Sequence, residues 1–186
     1  MSLRQTLEVL NDMVEASVIE TYAIGGAVAA FYYVEASTTD DLDILVSFDT
    51  RLATQSGLVT LGPIVSYLAS KGYAEWRAEG IVIEGWPVQF LPVADALDAE
   101  ALSNASRVDL EVDSTAPPVA TRILTAEHVI ANAAKIGRPK DLNRISQFIE
   151  ETVYNEERLR DILIRHGLVA KWNEICRRLG VDNRCI

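Results

Sequence analysis

A chain of 186 residues is long enough for one globular domain of ordinary size with a helical extension, and its 49% hydrophobic and 24% charged composition excludes disordered and fibrous classes. The formal charge of −10, from 17 Lys plus Arg against 27 Asp plus Glu, repels a phosphate backbone at long range and argues against bulk nucleic-acid binding. Two cysteines, Cys176 and Cys185, without a second Cys/His cluster argue against a zinc site or a disulfide framework.

The uncharged apolar run Thr21 to Val34 is too short to span a bilayer, and no basic-then-apolar signal segment opens the chain. The expectation is a cytoplasmic protein with free thiols and no membrane association. Basic residues gather late (Lys135, Arg138, Lys140, Arg144 and onward), so a local basic surface leaves room for a tRNA-like partner.

Leu3, Leu7, Leu10, Val14 and Val18 recur at helical spacing and predict an amphipathic helix. Tyr22-Ala23-Ile24 then reads as a short strand running into Gly25-Gly26 and an Ala-rich helix, Ala27 to Val34. Thr38-Thr39-Asp40 breaks that helix. Leu42 to Phe48 follows as a strand with Leu42, Ile44 and Val46 on one face, which puts Asp41 and Asp43 on the other.

Leu58 to Ser70 predicts a helix stopped by Lys71-Gly72, and Ile81–Glu84 and Val88–Leu91 predict a hairpin around Gly85-Trp86-Pro87. A helix from Val93 to Leu102 and an extended piece from Val108 to Val112 complete a first domain, residues 1–115. Small residues and a double proline coincide at Ser114-Thr115-Ala116-Pro117-Pro118, which marks the boundary. Residues 116–186 read as helical throughout, with helices near Thr125–Ile136, Lys140–Tyr154, Glu156–His166 and Val169–Leu179, Thr125 as an N-cap, and Gly167 and Gly180 as stops.

Carboxylates at i and i+2 on a strand have Cβ atoms roughly 6.5 to 7 Å apart, given a rise of about 3.3 Å per residue. Asp41 and Asp43 set in this way can clamp Mg²⁺ or Mn²⁺ while triphosphate oxygens complete the coordination shell, although two solvated aspartates on an exposed strand would look the same. Gly25-Gly26, between strand and helix, lets backbone N–H groups approach phosphates; a tight packing turn is the plainer alternative.

The succession strand, Gly-Gly, helix, Asp-x-Asp strand, with 14 residues between Gly26 and Asp41, resembles the signature of the nucleotidyltransferase superfamily of the polymerase β type. Thr39-Asp40-Asp41-Leu42-Asp43-Ile44, Pro87-Val88-Gln89-Phe90-Leu91-Pro92 and Gly137-Arg138-Pro139-Lys140-Asp141-Leu142 are together similar to its AbiEii-like branch, which includes nucleotidyltransferase toxins and many bacterial proteins. The resemblance covers most of residues 20 to 150. It implies an α/β (α+β) fold, a mixed sheet flanked by helices and followed by a helical domain. By position it implicates Gly25, Gly26, Asp41, Asp43, Arg138, Lys140 and Asp141, with the paired aspartates binding Mg²⁺ and the glycine turn and Arg-x-Lys-Asp stretch facing the nucleotide.

Arg138 and Lys140 flank Pro139 at a helix start and suit bidentate and point-charge contacts to a phosphate. Asp141 fits a first-turn position favoured by the helix dipole, so capping and catalysis compete for it. Gln89 stands where the family places a third carboxylate. An amide oxygen can ligate Mg²⁺ but cannot take a proton from an attacking hydroxyl, so the base is missing unless Glu84 or Asp141 supplies it. Glu84 also reads as an exposed edge charge. A lysine that related sequences carry five residues before the arginine is here Ala133, and Lys135 lies about 200° round the helix from it.

Other residues invite less. His128 and His166 are lone helix histidines without a partner at i±4, so surface or helix-end roles are expected. Trp76 and Trp86 read as hairpin packing, with base stacking the sharper alternative, and Trp172 as core. A glycosyltransferase or haloacid-dehalogenase-like phosphatase shares the Asp-x-Asp pair, yet neither expects a Gly-Gly turn upstream. The expected activity is Mg-dependent transfer of a nucleoside monophosphate from an NTP to a hydroxyl on RNA, protein or a small molecule. The competing expectation, favoured by Gln89, is a nucleotide-binding or antitoxin-like protein of the same fold without turnover.

Overall fold

The computed structural model describes residues 2–35, 39–48, 61–112 and 116–186. The breaker Thr38, the start of the helix expected from Leu58 and the Ser114-Thr115 pair lie outside them.

Helix α1 (Leu3–Glu15) is capped by Ser2, whose hydroxyl accepts from the Gln5 amide at 3.2 Å, and buries Leu7, Leu10 and Met13. It ends earlier than its apolar spacing predicts because Ser17 turns left-handed, φ 55°, and Val18 N–H closes back on the Met13 carbonyl at 2.9 Å. Strand β1 (Thr21–Ile24) enters α2 (Gly26–Phe31), and β2 (Leu42–Ser47) follows with Leu42, Ile44 and Val46 fully buried, as their alternation requires.

Helix α3 (Gly62–Ser70) leads into β3 (Trp76–Arg77), a short strand the sequence pattern does not disclose. Strands β4 (Gly80–Ile83) and β5 (Trp86–Pro92) form the expected antiparallel hairpin, but its turn is Glu84-Gly85, with φ of 50° and 88°, while Trp86 and Pro87 already belong to β5. Two consecutive left-handed residues match the twist of a two-residue hairpin. Helix α4 (Ala96–Ser103) and β6 (Ser106–Leu110) come next.

The chain beyond the double proline is not wholly helical. Val119–Ile123 forms β7, which pairs antiparallel with β6 and parallel with β1. The sheet therefore spans residues on both sides of position 115, and the helical part begins at α5 (Ala126–Ile136), followed by α6 (Pro139–Glu151), α7 (Glu156–Arg165) and α8 (Val169–Leu179). Gly180 stops α8 in the left-handed conformation, as expected. The mixed sheet has seven strands in the order β3-β4-β5-β2-β1-β7-β6, with β2 parallel to β5 and antiparallel to β1.

Helix α5 is buried over most of its circumference, from Ala126 to Ala134, and is the hub on which α4, α6, α7 and α8 pack. Trp172 is core, with its indole N–H donating to the Arg184 carbonyl at 2.9 Å. Polar ties hold the helices in place: Tyr33 Oη donates to the Leu124 carbonyl just beyond β7 at 3.0 Å, and Lys135 Nζ of α5 lies 2.5 Å from Asp95 and 3.3 Å from Asp98 at the start of α4. Among the described residues no helix is long and apolar enough to cross a membrane. Both cysteines are free thiols.

Candidate active site

Seating α6 across the ends of β2 and β5 opens a cleft of about 910 Å³, within the size range of small-ligand sites. Asp41 and Asp43 form its floor. The β3–β4 turn and β5 make one wall, through Glu79, Gly80, Pro87 and Gln89, and α6 makes the other, through Lys140, Asn143, Arg144 and Gln147. Those four α6 residues stand at i, i+3, i+4 and i+7, one stripe of the helix, while Leu142, Ile145, Phe148 and Ile149 bury the opposite stripe.

Gly26 is pressed against the aspartate floor. It is left-handed, φ 58°, and a Cβ built on it would run into the Asp43 carboxylate, 2.7 Å from Cγ and 2.9 Å from the Asp43 Cβ. Only a residue without a side chain leaves that carboxylate its place. Gly25 is different: its φ of −116° suits any residue, a Cβ there would meet only ordinary contacts, and its N–H is already donated to the Asp43 carbonyl at 2.8 Å. The glycine pair therefore positions Asp43, and the Gly25 amide is not free for a phosphate.

Burial pushes the Asp43 carboxyl above its ordinary value, and the neighbouring Asp41 pushes it further, against the pull of Lys140, Arg144 and Arg138. Asp41 is held by Thr39, whose hydroxyl donates to its Oδ1 at 2.8 Å. Two carboxylates of like charge, partly desolvated and faced by cations, form a site whose electrostatics improve on binding a divalent cation. Among the described residues no three His, Cys, Asp or Glu side chains converge as a ready-made metal cage. That donor set fits Mg²⁺, which is typically held by one or two carboxylates with phosphate and water oxygens in the remaining positions.

Neither of the two expected bases, Asp141 and Glu84, lines the cleft. Asp141 is fully buried, accepting from the Arg138 amide at 3.0 Å and Nε at 2.9 Å, with Arg144 Nη1 3.5 Å away. It caps α6 and aligns two guanidinium groups. Glu84 sits in the β4–β5 turn, outside the cleft lining, and accepts from Tyr73 Oη at 2.5 Å; this bond pushes the tyrosine up to about 12. Lys135 is occupied by Asp95 and Asp98 and does not replace the lysine missing at Ala133.

Gln89 does stand beside the aspartates, since β2 and β5 run parallel with Asp43 opposite Gln89. Its amide donates to Glu79 Oε2 at 2.6 Å. Lys140 lines the cleft, and Arg138 lies behind it, half exposed and paired with Asp141.

Among solved structures the chain resembles the crystal structure of an antigenic nucleotidyltransferase-like protein from Paracoccidioides brasiliensis, with 15% identity and a TM-score of 0.50 over 97% of this chain and 94% of that one. The fold is nucleotidyltransferase-like. Two structures of the antibiotic-resistance factor ANT(2'')-Ia also align, a solution structure (15% identity, TM-score 0.46, 96% of this chain and 99% of that one) and a crystal structure in complex with adenylyl-2''-tobramycin (16%, 0.45, 90% and 99%). No family model and no curated protein matches the chain.

Within this nucleotidyltransferase-like frame, Arg144 and Glu79 are the residues sequence reading passes over. Arg144 could have been found: its i+4 spacing from Lys140 places both on one helix face. Both histidines lie at helix ends as expected, His128 in the first turn of α5 and His166 as the C-cap of α7, but His128 is buried rather than on the surface. Its Nδ1 is 2.8 Å from Thr125 Oγ1 and its Nε2 3.4 Å from Glu100, and His166 Nε2 is 2.7 Å from the same carboxylate. They join α5 and α7 to α4, away from the cleft. Trp76 is exposed on the edge strand, and Trp86 packs partly against the core.

Proposed function

We propose that this protein is a Mg²⁺- or Mn²⁺-dependent nucleotidyltransferase that moves a nucleoside monophosphate from an NTP to a hydroxyl acceptor on RNA, a protein or a small molecule. The observation that carries the reading is the floor of the cleft: Asp41 and Asp43 side by side, Gly26 shaped around Asp43, and Lys140 and Arg144 facing them. The cation, held by Asp41 and Asp43, supplies charge neutralisation at the triphosphate.

The chain's own residues divide the remaining work. Lys140 and Arg144 place positive charge where phosphate oxygens gather, and Asp141 keeps Arg138 and Arg144 aligned for that role. Thr39 holds Asp41 in orientation. Because phosphoryl transfer depends mainly on positioning and electrostatics, such a frame supplies most of what the step requires. Kinship with the AbiEii-like branch, with its toxin–antitoxin partners and bacterial, cytoplasmic setting, rests on the three motif stretches. A nucleotide-binding protein without turnover is the second reading, and Gln89 at the third-carboxylate position favours it.

Isothermal titration of NTP with and without Mg²⁺, joined to an assay of pyrophosphate release, tests both readings. Binding with release supports transfer, binding alone supports the second reading, and absence of Mg-dependent binding refutes both.

A further inference from the structure

Glu79 reaches the cleft from a part of the chain that sequence motifs do not touch. It occupies the two-residue turn between β3 and β4, where Arg77 pairs with Gly80 and Ala78 is left-handed, φ 51°. For a residue with a side chain that conformation is strained, and such strain persists where the surroundings impose it. Gly80 shows how they do so. A Cβ there would lie 3.0 Å from the backbone of both Pro87 and Val88, so the turn is drawn tightly onto the start of β5. The result is that Glu79 Oε2 accepts from Gln89 Nε2 at 2.6 Å, and Gln89 is the lateral neighbour of Asp43.

We propose that Glu79 is the general base of this site, a carboxylate delivered from the β3–β4 turn to do what the neutral Gln89 cannot, with Gln89 as its positioning residue. The proposal rests on the nucleotidyltransferase reading. In the step, the acceptor hydroxyl gives its proton to the Glu79 carboxylate as its oxygen bonds to the α-phosphorus. The bond from that phosphorus to the bridging oxygen breaks, and pyrophosphate leaves with the electron pair. Glu79 is exposed, as a base that meets an incoming acceptor should be, whereas Asp41 and Asp43 lie deeper on the floor. The Gln89 amide spends a donor on Glu79 and keeps its carbonyl oxygen for the cation side.

The test uses the full chain with Mg-ATP, Mg-GTP, Mg-CTP and Mg-UTP, water or glycerol as acceptor, and two measurements: NTP affinity by calorimetry and pyrophosphate release across pH. Glu79→Gln should keep wild-type affinity, lower release by about 10² to 10⁴, and abolish the rise of rate with pH on the acid limb. Glu79→Asp should retain that rise with a reduced rate, and Gln89→Asp should restore release in the Glu79→Gln background. A merely structural role for Glu79 would leave the shape of the pH profile unchanged. Wild-type release in Glu79→Gln, or NTP binding by the wild type without any release, overturns the proposal while leaving the nucleotide site standing. Absence of Mg-NTP binding to the wild type refutes the underlying reading itself.

Discussion

Replacing Gly26 with alanine perturbs the floor of the cleft with a single methyl group. The left-handed backbone, φ 58°, costs an L-residue about 1 to 2 kcal/mol. The new Cβ also collides with the Asp43 carboxylate, approaching its Cγ to 2.7 Å, and forced overpacking adds about 1 to 3 kcal/mol. A loss near 3 kcal/mol, or a fall in Tm of about 6 to 12 °C for a chain of this size, is expected by circular dichroism. Mg-dependent NTP binding should disappear with it, because the carboxylate has moved. Asp43→Ala provides the discriminating background, since it removes the carboxylate and leaves only a Cβ at 2.9 Å. There the penalty of Gly26→Ala should fall to the backbone strain plus the cost of that one remaining close contact, giving a coupling of about 1 to 2 kcal/mol in the double-mutant cycle. Strict additivity would refute the claim that Gly26 exists to seat Asp43.

Asp141→Ala should act first on stability, by about 2 to 4 kcal/mol in denaturant unfolding, because it strips the partner from a guanidinium that is 13% exposed and from another that is half exposed. A fully stable variant that has lost only turnover would instead make Asp141 a base. Glu84→Gln should leave pyrophosphate release unchanged. Glu100 is pushed down to about 2 chiefly by its hydrogen bond to Arg165 and then by His166, from an ordinary 4.5. Its contribution is therefore complete above pH 4.5 and lost as pH falls toward 2, so the Tm of Glu100→Gln should lack that part of the acid decline. His128, lowered by burial, produces a separate loss that begins below its ordinary 6.5 and should persist in the variant. A Tm profile for Glu100→Gln that parallels wild type between pH 4.5 and 2 would contradict the assignment.

The parts of the site read from sequence are those set by local periodicity. Alternation along Leu42–Val46 places both aspartates, and the Gly-Gly turn marks the strand-to-helix corner. What stayed hidden depends on partners distant in the chain. Strand β7 is a five-residue stretch directly after a double proline, and only β1 and β6 on either side make it a strand. Glu79 looks like an ordinary surface charge until the strand order brings its turn beside Gln89. His128 lacks a partner at i±4 because its partner, Glu100, comes from another helix. Arg144 was within reach of the sequence, one helical turn from Lys140, which the resemblance had already singled out.

The central claim is that Asp41 and Asp43 hold a divalent cation for an NTP, and titrating Mg-NTP into wild type, Asp41→Asn and Asp43→Asn measures it directly. Both substitutions should abolish Mg-dependent binding while each changes stability by no more than about 1 kcal/mol. Asp43→Asn should be the more stable above pH 3.8: a carboxyl raised in the folded state destabilises it as pH climbs from that unfolded value through the folded one, and the amide escapes the penalty. Folded variants that bind Mg-NTP as tightly as wild type would contradict the claim.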